Sequence, residues 1–107
     1  MPEVPAVPDA RLLGEGDWIS VTEVCRVCLI DMPAVVELVE LGVVVSRGTS
    51  PDEWLVPVAS LWRLRVAGRL MRDLGVNVTG AALAVELLEA RGELERRIRR
   101  LERLVHE

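Results

Sequence analysis

Apolar positions along the chain change period several times, and each change marks an element. Val21, Val24, Cys25 and Cys28 recur at helical spacing, and Ser20-Val21-Thr22-Glu23 has the spacing of a capping box, so a first helix is expected from about Val21 to Val27 with Ser20 as N-cap. Leu29-Ile30-Asp31 breaks that period. Asp31 suits a second N-cap and Pro33 a first helical turn, where a missing N–H costs nothing; the second helix should run to about Leu41, with Val35, Leu38 and Val39 inward, Val36 a further candidate for that side, and Gly42 as its C′ residue. Val43 to Ser46 then reads as a strand, Arg47-Gly48-Thr49-Ser50-Pro51-Asp52 as turn chemistry and Glu53 to Val56 as the returning strand. Two short helices across a tight break, followed by a hairpin, describe a helix-turn-helix entering a two-stranded wing.

Beyond the wing, Leu61, Leu64, Ala67, Leu70, Met71 and Leu74 share one stripe of a third helix, about Val58 to Leu74, flanked by Arg63, Arg65, Arg69 and Arg72 and ended by Gly75. Thr79 is expected to cap a last helix from about Gly80 to Val105. Its first half is apolar nearly all round and should cross the core. In its second half Leu87, Arg91, Leu94, Ile98, Leu101 and Val105 are spaced 4, 3, 4, 3, 4, an a/d seam with Glu93–Arg97 and Glu95–Arg99 pairs beside it. So short a seam cannot stand alone: the helix either folds back on its own domain or pairs with a second copy, and its projecting length favours a homodimer, with Leu87, Leu94, Ile98, Leu101 and Val105 as candidate dimerisation residues. Residues 1–16 carry Pro2, Pro5, Pro8, Gly14 and Gly16 with no periodic pattern and are expected to form a disordered lead. The organisation is therefore a lead at 1–16, a winged helix-turn-helix with its third helix at 17–78, and a coiled-coil dimerisation helix at 79–107.

Composition narrows this picture. With half of 107 residues apolar and only three aromatic residues, all Trp, the core must be built from Val, Leu and Ala, as suits packed helices in one domain. No apolar run approaches the roughly 18 residues of a membrane span, and the N-terminus has no basic stretch followed by an apolar one, so a cytoplasmic protein is expected. Charge is unevenly divided. Residues 1–60 hold ten acidic residues against three Arg, a net of −7, whereas residues 61–107 hold ten Arg against seven acids, a net of +3. The half that would read DNA is thus the acidic half. Its second helix has no Arg, Lys, Asn or Gln for base edges and instead carries Asp31, Glu37 and Glu40. Only Arg47 in the wing is placed to touch a phosphate.

Little supports catalysis or a cofactor. The chain has no Gly-rich phosphate loop and no nucleophile beside a base, and its single His is His106, so no catalytic, cofactor or metal residues are assigned. Cys25-Arg26-Val27-Cys28 is a C-x-x-C without the further ligands zinc requires. It reads first as two small side chains of the first helix, with an oxidation-sensitive pair as the lesser reading.

Taken in order from about Trp18 to Val105, these features resemble the MerR superfamily. More narrowly, Val21-Thr22-Glu23-Val24-Cys25, Leu41-Gly42-Val43-Val44, Trp54-Leu55-Val56, Arg69-Leu70-Met71-Arg72-Asp73-Leu74 and Gly80-Ala81-Ala82-Leu83-Ala84 with Leu87-Leu88 resemble the CbpM family of chaperone modulators. The resemblance implies a mainly α fold, a MerR-like winged helix-turn-helix with a two-stranded wing and a long C-terminal coiled-coil helix. It also implies a function: such proteins bind the J-domain of CbpA, a DnaJ-like co-chaperone that also binds DNA in the nucleoid, and inhibit both its stimulation of DnaK and its DNA binding. Any nucleoid association would then come only through the partner. J-domains present a basic helix, which an acidic modulator could occlude, and the candidate J-domain-binding residues are Val36, Glu37, Glu40, Asp52 and Glu53. Pro57 departs from the pattern, since a polar or acidic N-cap is expected before the third helix. The alternative reading is a MerR-like DNA-binding transcriptional regulator that grips DNA through the wing and the arginines of the third helix.

Overall fold

The structure, a computed structural model, describes residues 16–106, so the lead expected at 1–16 lies, apart from Gly16, outside the described residues. The elements are β1 (Trp18–Ser20), α1 (Val21–Cys28), α2 (Met32–Glu40), a 3-10 turn (Pro51–Glu53), β2 (Leu55–Pro57), a second 3-10 turn (Val58–Ser60), α3 (Leu61–Leu74) and α4 (Val78–His106). The fold is mainly α, with one two-stranded sheet and a long C-terminal helix.

The helix-turn-helix forms where local chemistry calls for it. Ser20 Oγ accepts the Glu23 N–H at 3.2 Å, while the Glu23 carboxylate pairs with Arg26 one turn on rather than reaching back to the cap. Asp31 Oδ1 accepts the Ala34 N–H at 3.0 Å and so starts α2. Between the helices Leu29 takes the left-handed conformation, with φ 54°, which a side chain with a Cβ adopts at a cost. The end of α1 is closed from outside: the Arg72 guanidinium on α3 donates to the carbonyl oxygens of Leu29 at 2.9 Å and Cys28 at 3.3 Å.

The wing departs from expectation. The two-stranded sheet is made by β1 and β2, antiparallel, with Ile19 opposite Val56, and not by Val43 to Ser46 paired with Glu53 to Val56. Val43 and Val44 are consecutive and both buried, which a pleated strand with one wet face does not allow; they plug the core after the Val43 N–H has bonded the Leu38 carbonyl. Only Arg47 joins the sheet, exchanging both backbone hydrogen bonds with Leu55 and thereby closing the wing loop.

The core runs through Val21, Val24, Val35, Leu38, Val56, Leu64 and Val85, all essentially without solvent contact. Helices α1 and α3 cross tightly at Gly68, where a Cβ would lie 2.9 Å from the Cys28 carbonyl oxygen. The last helix begins two residues earlier than expected, because Asn77 rather than Thr79 caps it: Asn77 Oδ1 accepts the Gly80 N–H at 2.7 Å. At 29 residues α4 is about 44 Å long, and only Ala81, Ala82 and Val85 of it are buried.

Candidate partner-binding site

The face of α2 that the wheel turns away from the core holds the first group of candidates. Ala34, Val35 and Leu38 point inward, so Val36, Glu37 and Glu40 share the opposite side; Val36 is half-buried and both glutamates are exposed. Neither glutamate has an ion-pair partner among the described residues. Asp52 and Glu53 are also exposed, but they sit on the 3-10 turn of the wing, which packs against α1. There they hold the turn together, Asp52 accepting from Ser50 Oγ at 2.8 Å and Glu53 from Thr49 Oγ1 at 3.0 Å. The wing acids are engaged with their own loop, and the α2 acids are not.

Several of the cations that a DNA-binding reading would use are occupied inside the domain. Arg63 Nε donates to Glu89 at 3.2 Å and its Nη1 to Ser60 Oγ at 3.3 Å. Arg72 caps α1, as described. Arg47 stacks on the Trp18 ring, its guanidinium carbon 4.5 Å from the ring centroid. The helix that would enter a DNA groove is thus acidic, and much of the cationic set is engaged elsewhere.

On α4 the apolar seam is open. Leu87, Leu94, Ile98, Leu101 and Val105 are each more than half exposed, and Leu83, at 57%, extends their line toward the core. At about 100° per residue this stripe lies opposite Ala81, Ala82 and Val85. It therefore faces away from its own domain. Arg91, at a seam position, bonds Glu95, while Glu93 gathers Arg96 and Arg97 along the flank.

Two acids that the sequence reading did not single out complete the surface. Glu86 and Glu89 line a groove of about 240 Å³ between the chain after α2 and the body of α4, floored by Val43 and Val85 and walled by Val45 and Arg63. The sequence signal was there: Glu86 interrupts the apolar run from Ala81 to Leu88. A larger groove of about 360 Å³ follows the outer side of α3, but its described lining, Val66, Arg69, Leu70, Asp73 and Leu74, balances one cation against one acid and so favours neither sign of partner.

The pattern of a MerR HTH family regulatory protein matches residues 19–103. A chaperone modulatory protein CbpM from Coxiella burnetii is 32% identical over 85 residues, covering 79% of this chain and 80% of that protein. The chain belongs to the CbpM family. Similar CbpM proteins occur in Pseudomonas putida, 35% identical, and Pseudomonas entomophila, 32% identical, each over 71 residues, 66% of this chain and 70% of the relative. No solved structure matches the chain.

In this CbpM-family chain the C-x-x-C lies along α1, with Cys28 buried and Cys25 half-buried, both as free thiols. Burial pushes the Cys25 thiol above its ordinary pKa, with the negative charge of Asp31 adding to it. Burial raises Cys28 as well, against the opposing pull of Arg65. Reactive thiols are usually lowered, not raised. Among the described residues no group of three or more His, Cys, Asp or Glu could hold a metal ion, and no helix is long and apolar enough to cross a membrane.

Proposed function

We propose that this protein modulates a chaperone system by binding the J-domain of a DnaJ-like co-chaperone of the CbpA type, inhibiting its co-chaperone and DNA-binding activities. The observation that carries the reading is the α2 face: in a family named for chaperone modulation, the helix placed to read DNA presents Glu37 and Glu40, without ion-pair partners among the described residues, beside Val36. Phosphates would be repelled by that face, whereas the basic helix of a J-domain would be drawn to it. The mechanism is competition. Modulator bound to the J-domain covers the helix that engages the DnaK-type chaperone and depletes the active co-chaperone according to its concentration relative to Kd. Asp52 and Glu53 on the wing add to the negative field. The open stripe on α4 suits a homodimer, since pairing would remove from water the apolar surface that the domain's own core leaves uncovered.

Calorimetric titration with a purified J-domain, run beside a titration with duplex DNA, tests this. Saturable J-domain binding without DNA binding is expected, weakened at least about tenfold by Glu37→Arg with Glu40→Arg. DNA binding without J-domain binding would instead identify a transcriptional regulator.

A further inference from the structure

We propose that the groove between the end of α2 and α4 receives one basic side chain, Arg or Lys, of the protein partner, with Glu86 as its counter-charge and Val43 and Val85 supporting its aliphatic stem. The proposal rests on the J-domain reading above and specifies where a cation of that partner sits.

Size is the first constraint. At about 240 Å³ the groove is smaller than the roughly 300–1,000 Å³ of sites that hold free small molecules, but it has room for one long side chain. Chemistry is the second. The floor is apolar and buried, with Val43 8% and Val85 1% exposed, while the rim carries the Glu86 and Glu89 carboxylates and the Arg63 guanidinium, which is paired with Glu89 and leaves Glu86 as the net negative charge. An apolar anchor would desolvate those carboxylates without replacing their water, and an acidic anchor would be repelled. Arg and Lys satisfy both parts, laying methylenes on the floor and a charged head at the rim.

The two rim acids differ in availability. Glu89 is already paired with Arg63, which Ser60 Oγ also holds, so that cation cannot swing out to fill the groove without losing two partners. Glu86 is exposed and has no ion-pair partner among the described residues. Glu40 lies two residues before Gly42, where the groove begins, and extends the negative field toward α2. Being one residue from Leu87, Glu86 is turned about 100° from the apolar stripe, so pairing along the stripe leaves the groove accessible.

The test is calorimetric titration of a CbpA-type J-domain into the full chain and into its Glu86→Arg and Glu86→Gln variants, with thermal melts of each. Glu86→Arg should weaken binding at least about tenfold and Glu86→Gln less, with melting unchanged, and replacing one Arg or Lys of the J-domain's basic helix by Glu should restore part of the loss. If the wild-type chain binds and Glu86→Arg binds within about twofold of it, the groove assignment is wrong and the J-domain reading survives. If melting shows that Glu86→Arg disturbs the fold, the neutral Glu86→Gln decides, and its binding as wild type overturns the assignment. No binding by the wild-type chain overturns both.

Discussion

Gly68 and Cys28 meet where α1 crosses α3, and that contact sets a sign that helix propensity alone would get wrong. Alanine is favoured over glycine inside a helix by about 1 kcal/mol. A Cβ at Gly68, however, would press on the Cys28 carbonyl oxygen, a backbone atom that moves only with its helix. Overpacking of this kind costs about 1–3 kcal/mol. Gly68→Ala should therefore lower stability in urea melts, and a stabilised variant would mean the helices are farther apart than described. The neighbouring thiols make a second prediction. Their folded pKa values are raised, so they remain protonated at neutral pH, and the stability linked to them is full below the ordinary thiol range and is lost as pH rises through the folded values. Cys25 should alkylate slowly with iodoacetamide at pH 7 and faster as pH rises, with Cys28 slower still, as followed by mass spectrometry. Rapid modification of Cys25 at pH 7 would revive a thiol switch; loss of function under oxidant that persists with both cysteines replaced by Ser would remove it.

At the scale of the element, α4 has two unlike faces. Its Ala81, Ala82 and Val85 side is narrow enough for close packing, while the stripe from Leu83 to Val105 has no cover among the described residues. For the proposed homodimer, analytical ultracentrifugation should find the wild-type chain dimeric and Leu94→Glu with Ile98→Glu, both remote from the core, monomeric with the helix-turn-helix still folded. Retention of the dimer would move the interface off this stripe. The surface ion pairs around Glu93 are a poor guide to that outcome. Exposed pairs contribute roughly 0–1 kcal/mol and are screened by salt, so the apolar positions should dominate association.

For the whole molecule the decisive property is the division of charge: −7 in residues 1–60 and +3 in residues 61–107. Part of the positive half is consumed internally, by Arg63 on Glu89 and Arg72 on the end of α1. The exposed acids of α2 have no such partners among the described residues, so their negative field is directed outward, as the proposed J-domain binding requires. Raising ionic strength shortens the Debye length from about 10 Å at 0.1 M toward 3 Å at 1 M. The association rate with a J-domain, measured by stopped flow, should fall steeply across that range while dissociation changes less. A salt-independent association rate would mean that the acidic face does not steer the encounter.

The local features were legible in the residues because their causes are local. Ser20 and Asp31 cap the helices that follow them, Pro33 sits in a first turn, and the seam spacing on α4 appears as one exposed stripe. What sequence order left open depended on contacts between distant segments. Val43 to Ser46 has strand-forming composition, but the core after α2 had room for two consecutive valines, and β2 found its ladder partner in Trp18–Ser20. The arginines of the third helix look like one cationic face along the chain, yet the fold turns Arg63 onto Glu89, 26 positions away, and Arg72 onto Leu29, 43 positions away. Glu86 looks like a solvated interruption in an apolar run until folding places Val43 beside it. Period and capping are short-range and survive in one dimension; charge pairing and grooves belong to surfaces that exist only once α2, α3 and α4 are packed.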